Sequence, residues 1–309
     1  KKILFFLPPS IGLGDAIEYA SAIKKISESI NFDLIGIAFT EGYKFIFENY
    51  FELKNTYQYI INSNEINKFD TLFHVSLEIK AFLNQKYSRS NIFDELVNHF
   101  NIKDTKYFKN ETQKKMKIRK ISIFPLSSSP IRTMPIKILN ELINIIEKKY
   151  LIEIFLDHNS EISNFLYDNI SFKHASIVAP TNKFNLFSSI KNIEYGLFMD
   201  SGPLHIAKMF NKPGILLETS VSSKILLKNY HLIKGIKNEF LSTYCRAPCG
   251  LTDIFNYDNN YGCYDSLKIR SSMLKKIFKN MNNRGVKNYY IQKIKKPVGC
   301  TTSLNVQNI

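Results

Sequence analysis

The feature that most constrains this chain is an alternation of short apolar runs with stretches of helical periodicity, and the alternation occurs twice. In the first third, Ile3–Leu7, Leu34–Phe39, Tyr57–Ile61 and Phe69–His74 read as strands. The runs from Ile3 and from Leu34 carry no charged residue, as in a sheet covered on both faces. Ala16–Ser29, Glu41–Tyr50, Leu77–Gln85 and Ile92–Phe100 read as helices; in the first, Ile17, Ala20, Ile23 and Ile26 recur at helical spacing. A polar, lysine-rich break from Asp104 to Lys120 follows, and the pattern restarts. Strands at Ile121–Pro125, Ile152–Leu156, Ser176–Val178, Tyr195–Met199 and Gly214–Glu218 alternate with helices at Pro135–Lys149, Ile162–Tyr167, Lys183–Ile190 and Leu204–Phe210. The expectation is an α/β chain with parallel sheets, in two Rossmann-like domains over residues 1–115 and 116–279. The second ends in a helix at Ile269–Lys279, and 280–309 reads as a polar, irregular tail.

A length of 309 residues suffices for two such domains. The net charge of +15 needs discounting, because only six of the 42 basic residues are arginines and lysine, isoleucine and asparagine are abundant together. What remains favours acidic partners such as phosphates or an anionic membrane surface. No dense basic run is interleaved with aromatics and no zinc-finger spacing occurs, so nucleic acid is not an expected partner. No run of ~18 apolar residues predicts a membrane-spanning helix. The apolar core of the first nine residues is shorter than the ~7–15 residues of a signal peptide and reads as a buried strand. The expected location is therefore the cytoplasm, with peripheral contact to the inner membrane. Cys245, Cys249, Cys263 and Cys300 have a spacing compatible either with free thiols in a loop or with a metal site.

Three strand-to-helix junctions carry candidate chemistry. Gly12-Leu13-Gly14-Asp15 follows the first strand; Asp15 suits a helix cap or a general base. Ser127-Ser128-Ser129-Pro130-Ile131-Arg132 follows the first strand of the second half and offers hydroxyls and one guanidinium to a phosphate. Asp200-Ser201-Gly202-Pro203-Leu204-His205 joins an apolar strand to a helix. Pro203 suits the first helical turn, and the helix N-terminus suits an anion; a capped helix with a half-buried histidine fits the same residues.

These junctions together resemble glycosyltransferase family 9, the lipopolysaccharide heptosyltransferase-like enzymes. Gly14-Asp15, Ser127–Arg132–Pro135 and Asp200-Ser201-Gly202-Pro203-Leu204-His205-Ile206-Ala207 carry the resemblance. Pro213–Leu217 and the Cys245…Pro248-Cys249…Cys263 segment extend it over residues 3 to about 275. The resemblance implies a GT-B fold, two Rossmann-like domains facing a central cleft, with the acceptor on the N-terminal side and the nucleotide sugar on the C-terminal side. It implies inverting transfer of a heptose-like sugar from a nucleotide-diphosphate donor, ADP-heptose-like, to a lipopolysaccharide or other lipid-linked cell-envelope glycan. Asp15 would be the catalytic base and Arg132 would neutralise the leaving diphosphate beside Ser127 and Ser128. Glu161 would hold the ribose, and Asp200, Ser201, Gly202, Pro203 and His205 would seat the diphosphate. Catalysis would need no metal or other cofactor. Alternatives are a protein glycosyltransferase of the same family with cysteine-bound metal, an epimerase of the same fold, and a non-catalytic nucleotide-sugar-binding module.

Overall fold

A computed structural model describes residues 1–9, 11–39, 42–58, 61–78, 91–103, 117–171, 175–228, 230–240, 247–250, 283–297 and 299–309, and all labels and counts below refer to these. The chain divides into two compact units, residues 1–84 with 90–109, and residues 85–89 with 110–309. Most of the expected linker, residues 104–116, and the expected helix at 269–279 lie outside the described residues.

The first unit is built on a parallel four-stranded sheet of β1 (Lys2–Phe6), β2 (Leu34–Phe39), β3 (Thr56–Gln58) and β4 (Thr71–His74), in the order β3-β2-β1-β4. The apolar run of β1 makes it a central strand, with Ile3 opposite both Ile35 and Thr71. Leu4 and Phe5 have no exposure at all. Helix α1 (Leu13–Ser29) buries Ala16, Ile17, Tyr19, Ala20, Ile23 and Ile26, the face its periodicity predicts. Short helices α2 (Ser63–Ile66) and α3 (Val75–Glu78) flank β4. Helix α4 (Ile92–His99) buries Phe93, Leu96 and Val97. The expected helix at 41–50 is confined to a short stretch ending in a wide helical turn at Ile46–Tyr50.

The second unit has a parallel six-stranded sheet. In chain order the strands are β5 (Lys120–Phe124), β6 (Leu151–Phe155), β7 (Ala175–Val178), β8 (Tyr195–Phe198), β9 (Gly214–Leu217) and β10 (Ile233–Ile236). Their order across the sheet is β10-β9-β8-β5-β6-β7. The chain starts in the middle, builds outward through β6 and β7, then returns to β8 on the other side of β5. That is the doubly wound Rossmann order, and it reverses between β5 and β8. Helices α5 (Ile136–Ile146), α6 (Glu161–Asn169), α7 (Lys183–Lys191), α8 (Gly202–Met209) and α9 (Ser223–Leu226) make the connections. At the C-terminal ends of β6, β5 and β8, Phe155, Phe124 and Phe198 stack with centroid spacings of 4.4 and 5.0 Å. The ring of Phe198 lies across the paired glycines Gly196 and Gly214. A Cβ on Gly214 would stand 2.2 Å from the Gly196 carbonyl oxygen, so neither strand leaves room for a side chain there.

Two sequence expectations need correction in this unit. Strand β10 was not foreseen, because Ile-Lys-Gly-Ile is too short and polar to stand out from a loop. The tail over 280–309 is not irregular: it contains helix α10 (Asn283–Lys295) and two tight helical turns. Tyr290 and Ile294, one turn apart, are buried in the core of the second unit with Leu304 and Val306. The segment is polar on average, and Tyr290 and Ile294 bury one face of the helix. Among the described residues no helix is long and apolar enough to cross a membrane.

Candidate functional site

In a doubly wound sheet, ligands bind beyond the C-terminal ends of the strands where the order reverses. In the second unit that point lies between β5 and β8, and the two loops leaving it are those of Ser127–Arg132 and Asp200–Gly202. The structure brings them together. Ser127 Oγ donates to the Asp200 carbonyl at 2.8 Å, and Arg132 Nη1 donates to the same oxygen at 3.0 Å. Arg132 Nη2 donates to Ser128 Oγ at 2.7 Å. The guanidinium also lies 3.3 Å from the Asp200 carboxylate, with side chains only 10% and 3% exposed. A guanidinium suits this corner because its planar fork puts Nη1 on Asp200 and Nη2 on Ser128, two separate nitrogens held in one fixed geometry.

Asp200 thus meets the site differently from the sequence expectation. Its carboxylate is turned to Arg132, so it fixes the guanidinium. Ser201 is the N-cap of α8, yet its hydroxyl donates to the Met199 carbonyl at 3.3 Å and caps no helix N–H group. The first-turn amides of α8 therefore have no side-chain acceptor from their own cap, which suits an external anion. Pro203 sits in that first turn, where a missing N–H costs nothing. His205 is buried one turn in, and Lys208 is fully buried, its Nζ donating to the Leu226 carbonyl at 2.9 Å.

For Glu161 the structure shows a partner outside these two loops. Glu161 opens α6, is exposed, and pairs with Lys287 of α10 at 2.9 Å. Cys300 is buried and its thiol donates to the Ile131 carbonyl at 3.3 Å. Cys249 lies next to Gly250, whose N–H donates to the Ser220 carbonyl at 2.8 Å, while Cys245 and Cys263 lie outside the described residues. Among the described residues no group of three or more His, Cys, Asp or Glu could hold a metal ion.

The first unit has its own order reversal, between β1 and β4. Asp15 stands at the third position of α1, and its Oδ2 accepts the Gly12 N–H at 3.2 Å. The cap reading is therefore realised, and the carboxylate is half-exposed at the same time. Two residues that the sequence did not single out share this edge. Tyr43, beyond β2, is half-buried; burial first, and then the charge of Asp15, raise its phenol pKa. His74 ends β4, stacks on Phe6, and shares a 3.3 Å hydrogen bond between Nδ1 and Ser76 Oγ. A histidine at the C-terminal end of a strand was the available signal for His74; for Tyr43 there was none.

No family model matches the chain, and no curated protein matches it in sequence. Solved structures match it in fold. The heptosyltransferase WaaC from E. coli, with ADP-2-deoxy-2-fluoro heptose, superposes with a TM-score of 0.53 at 10% identity, over 77% of this chain and 93% of that one. The iron-containing dodecameric glycosyltransferase TibC from enterotoxigenic E. coli gives 0.57 at 11% identity, over 96% of this chain and 76% of that one. A family 9 glycosyltransferase from Veillonella parvula gives 0.52 at 13% identity, over 76% and 86%. The chain therefore has the α/β, GT-B fold of the heptosyltransferase-like family 9 glycosyltransferases.

Proposed function

We propose that this protein is an inverting glycosyltransferase that moves a heptose-like sugar from a nucleotide-diphosphate donor to a cell-envelope glycan, with the acceptor taken at the edge of the first unit. The observation that carries the reading is the convergence of Ser127, Ser128 and Arg132 on the loop before α8, at the point where the Rossmann order reverses. The diphosphate accepts from the α8 first-turn amides and from the Arg132 guanidinium, whose charge offsets the one that develops on departure. Asp200 holds the guanidinium in place and does not touch the phosphates, since two anions in contact would repel. Asp15 takes the proton of the acceptor hydroxyl; the oxygen attacks the anomeric carbon, the bond to the diphosphate breaks, and the nucleoside diphosphate leaves with the bonding pair. The solved heptosyltransferase crystallised with an ADP-sugar analogue favours an adenine donor as the first to test.

The test is calorimetric binding of ADP, GDP, UDP and CDP to the purified protein, followed by transfer assays with the matching nucleotide sugar. Binding of a nucleoside diphosphate in the micromolar range, reduced at least tenfold by Arg132→Met, supports the donor site. Binding of none of the four sinks it. A second reading, a nucleotide-sugar-binding module without turnover, is favoured by one observation: the Asp15 carboxylate already serves as a helix cap. Under it, Asp15→Asn lowers stability and nothing else. Under the enzyme reading, it abolishes transfer with donor affinity unchanged.

A further inference from the structure

The loop that carries Ser127, Ser128 and Arg132 contains no regular structure except a single turn at Pro130–Arg132. It is closed on itself by Thr133, whose Oγ1 accepts the Ser127 N–H at 3.1 Å and donates to the Ser129 carbonyl at 3.0 Å. On one side the loop is tied to Asp200. On another it is tied to residues from the far end of the chain. The hydroxyl of Tyr290, in α10, lies 2.5 Å from the Ser127 carbonyl and also against Thr133 Oγ1, and it donates its one proton between these two oxygens. Cys300, in the turn after α10, donates to the Ile131 carbonyl. Tyr290 is 4% and Cys300 3% exposed, so these are interior contacts that solvent does not compete for.

We propose that the segment 283–309 is a brace for the phosphate loop, with Tyr290 the positioning residue that sets Ser127 and Arg132 for the diphosphate and Cys300 a second pin. The proposal rests on the donor-site reading above and adds what holds that site in shape. The loop gains its geometry from two clamps that act on different atoms. The Asp200 clamp takes the Ser127 hydroxyl and the guanidinium; the α10 clamp takes backbone carbonyls and Thr133. Losing the second leaves the first in place but lets the peptide planes of 127–133 rotate. Diphosphate affinity then falls, because a loop that must be ordered on binding binds less tightly than one ordered beforehand. Contacts to the base and ribose, made elsewhere, are unaffected.

The experiment compares wild type, Tyr290→Phe and Cys300→Ala. Two ligands are titrated calorimetrically: the nucleoside diphosphate that most raises the wild-type melting temperature, and its parent nucleoside. Amide exchange is followed over 127–133 and over α5. For Tyr290→Phe the expectation is a diphosphate Kd raised about tenfold, a nucleoside Kd within about twofold of wild type, and faster exchange in 127–133 with α5 unchanged. Cys300→Ala should show the same pattern more weakly and covers the case in which Tyr290→Phe does not fold. Equal losses for both ligands would make the segment merely structural, and unchanged exchange in 127–133 would overturn the brace outright. If wild type binds no nucleoside diphosphate, the donor-site reading fails, while the exchange measurement still decides whether Tyr290 orders the loop.

Discussion

Removing the Arg132 side chain should expose two separate roles, and the structure sets the size of each. In Arg132→Met the apolar stem is kept and the guanidinium is lost. The Asp200 carboxylate, 3% exposed and 3.3 Å from the guanidinium, is then a buried charge without that counter-ion. Breaking such a pair from one side costs about 3 kcal/mol, at the low end of the usual range because Arg132 is itself 10% exposed and water can reach the gap. At about 2–4 °C per kcal/mol for a unit of this size, the transition should fall by roughly 6–12 °C in a circular dichroism melt. Adding Asp200→Asn removes the stranded charge and should recover most of that loss, leaving a deficit of about 1 kcal/mol from the hydrogen bonds to Ser128 and the Asp200 carbonyl. Diphosphate binding should not recover, because the guanidinium is still missing. The reasoning is refuted if Arg132→Met melts within 2 °C of wild type, or if the double variant is no more stable than the single one. Recovery of diphosphate affinity in the double variant would leave the pair as a structural fastening with no part in ligand binding.

Other perturbations test neighbouring links. Gly214→Ala places a methyl 2.2 Å from the Gly196 carbonyl oxygen, a backbone atom that cannot swing aside, and should destabilise the second unit by about 1–3 kcal/mol in urea unfolding. Glu161→Gln breaks a pair whose partners are 59% and 46% exposed, so stability should change by under about 1 kcal/mol. Calorimetry then asks whether ribose binding needs this carboxylate, and an unchanged nucleoside Kd would remove Glu161 from the donor site. At alkaline pH, Tyr230 should matter: it donates to the Lys212 carbonyl and burial raises its pKa well above 10.0. The unfolded chain loses that phenolic proton first. Its stabilising contribution is therefore complete below pH about 10 and is lost as pH rises toward the folded pKa. Tyr230→Phe should flatten the fall in unfolding free energy above pH 10, and an unaltered slope would assign the fall to other groups.

The parts of this molecule that were legible in the sequence share one property: the local pattern and the tertiary environment ask for the same residues. Strand β1 is apolar from Ile3 to Phe6 because it runs inside its sheet, and α1 carries the periodicity of the face it buries. The Asp200-Ser201-Gly202-Pro203 corner was legible because a strand end, a turn and a helix start each demand particular residues there. What escaped lacked such agreement. Strand β10 places an adjacent lysine and glycine between two isoleucines, with no alternation to mark it. Helix α10 has a polar composition and depends on Tyr290 and Ile294 reaching a core assembled by strands far earlier in the chain, among them β5 and β6. No window of sequence contains that core, so no periodicity within the window reveals it.

The same limit explains why the sequence did not show that the Asp200 carboxylate faces Arg132. An aspartate before Ser-Gly-Pro reads as an anion seat because only the helix that follows is visible locally. The residue that decides its role, Arg132, lies 68 positions away and meets it only because the strand order brings β5 next to β8. Once they meet, the electrostatics are fixed: a buried carboxylate beside a buried guanidinium holds it in one orientation, with Ser128 taking a further donor. The corner is therefore close to neutral before any ligand arrives, which lowers the cost of keeping an arginine there in a folded, ligand-free chain. On the donor-site reading proposed above, a diphosphate would meet a guanidinium already aimed and amides already aligned, and little reorganisation would remain when charge develops on the leaving group.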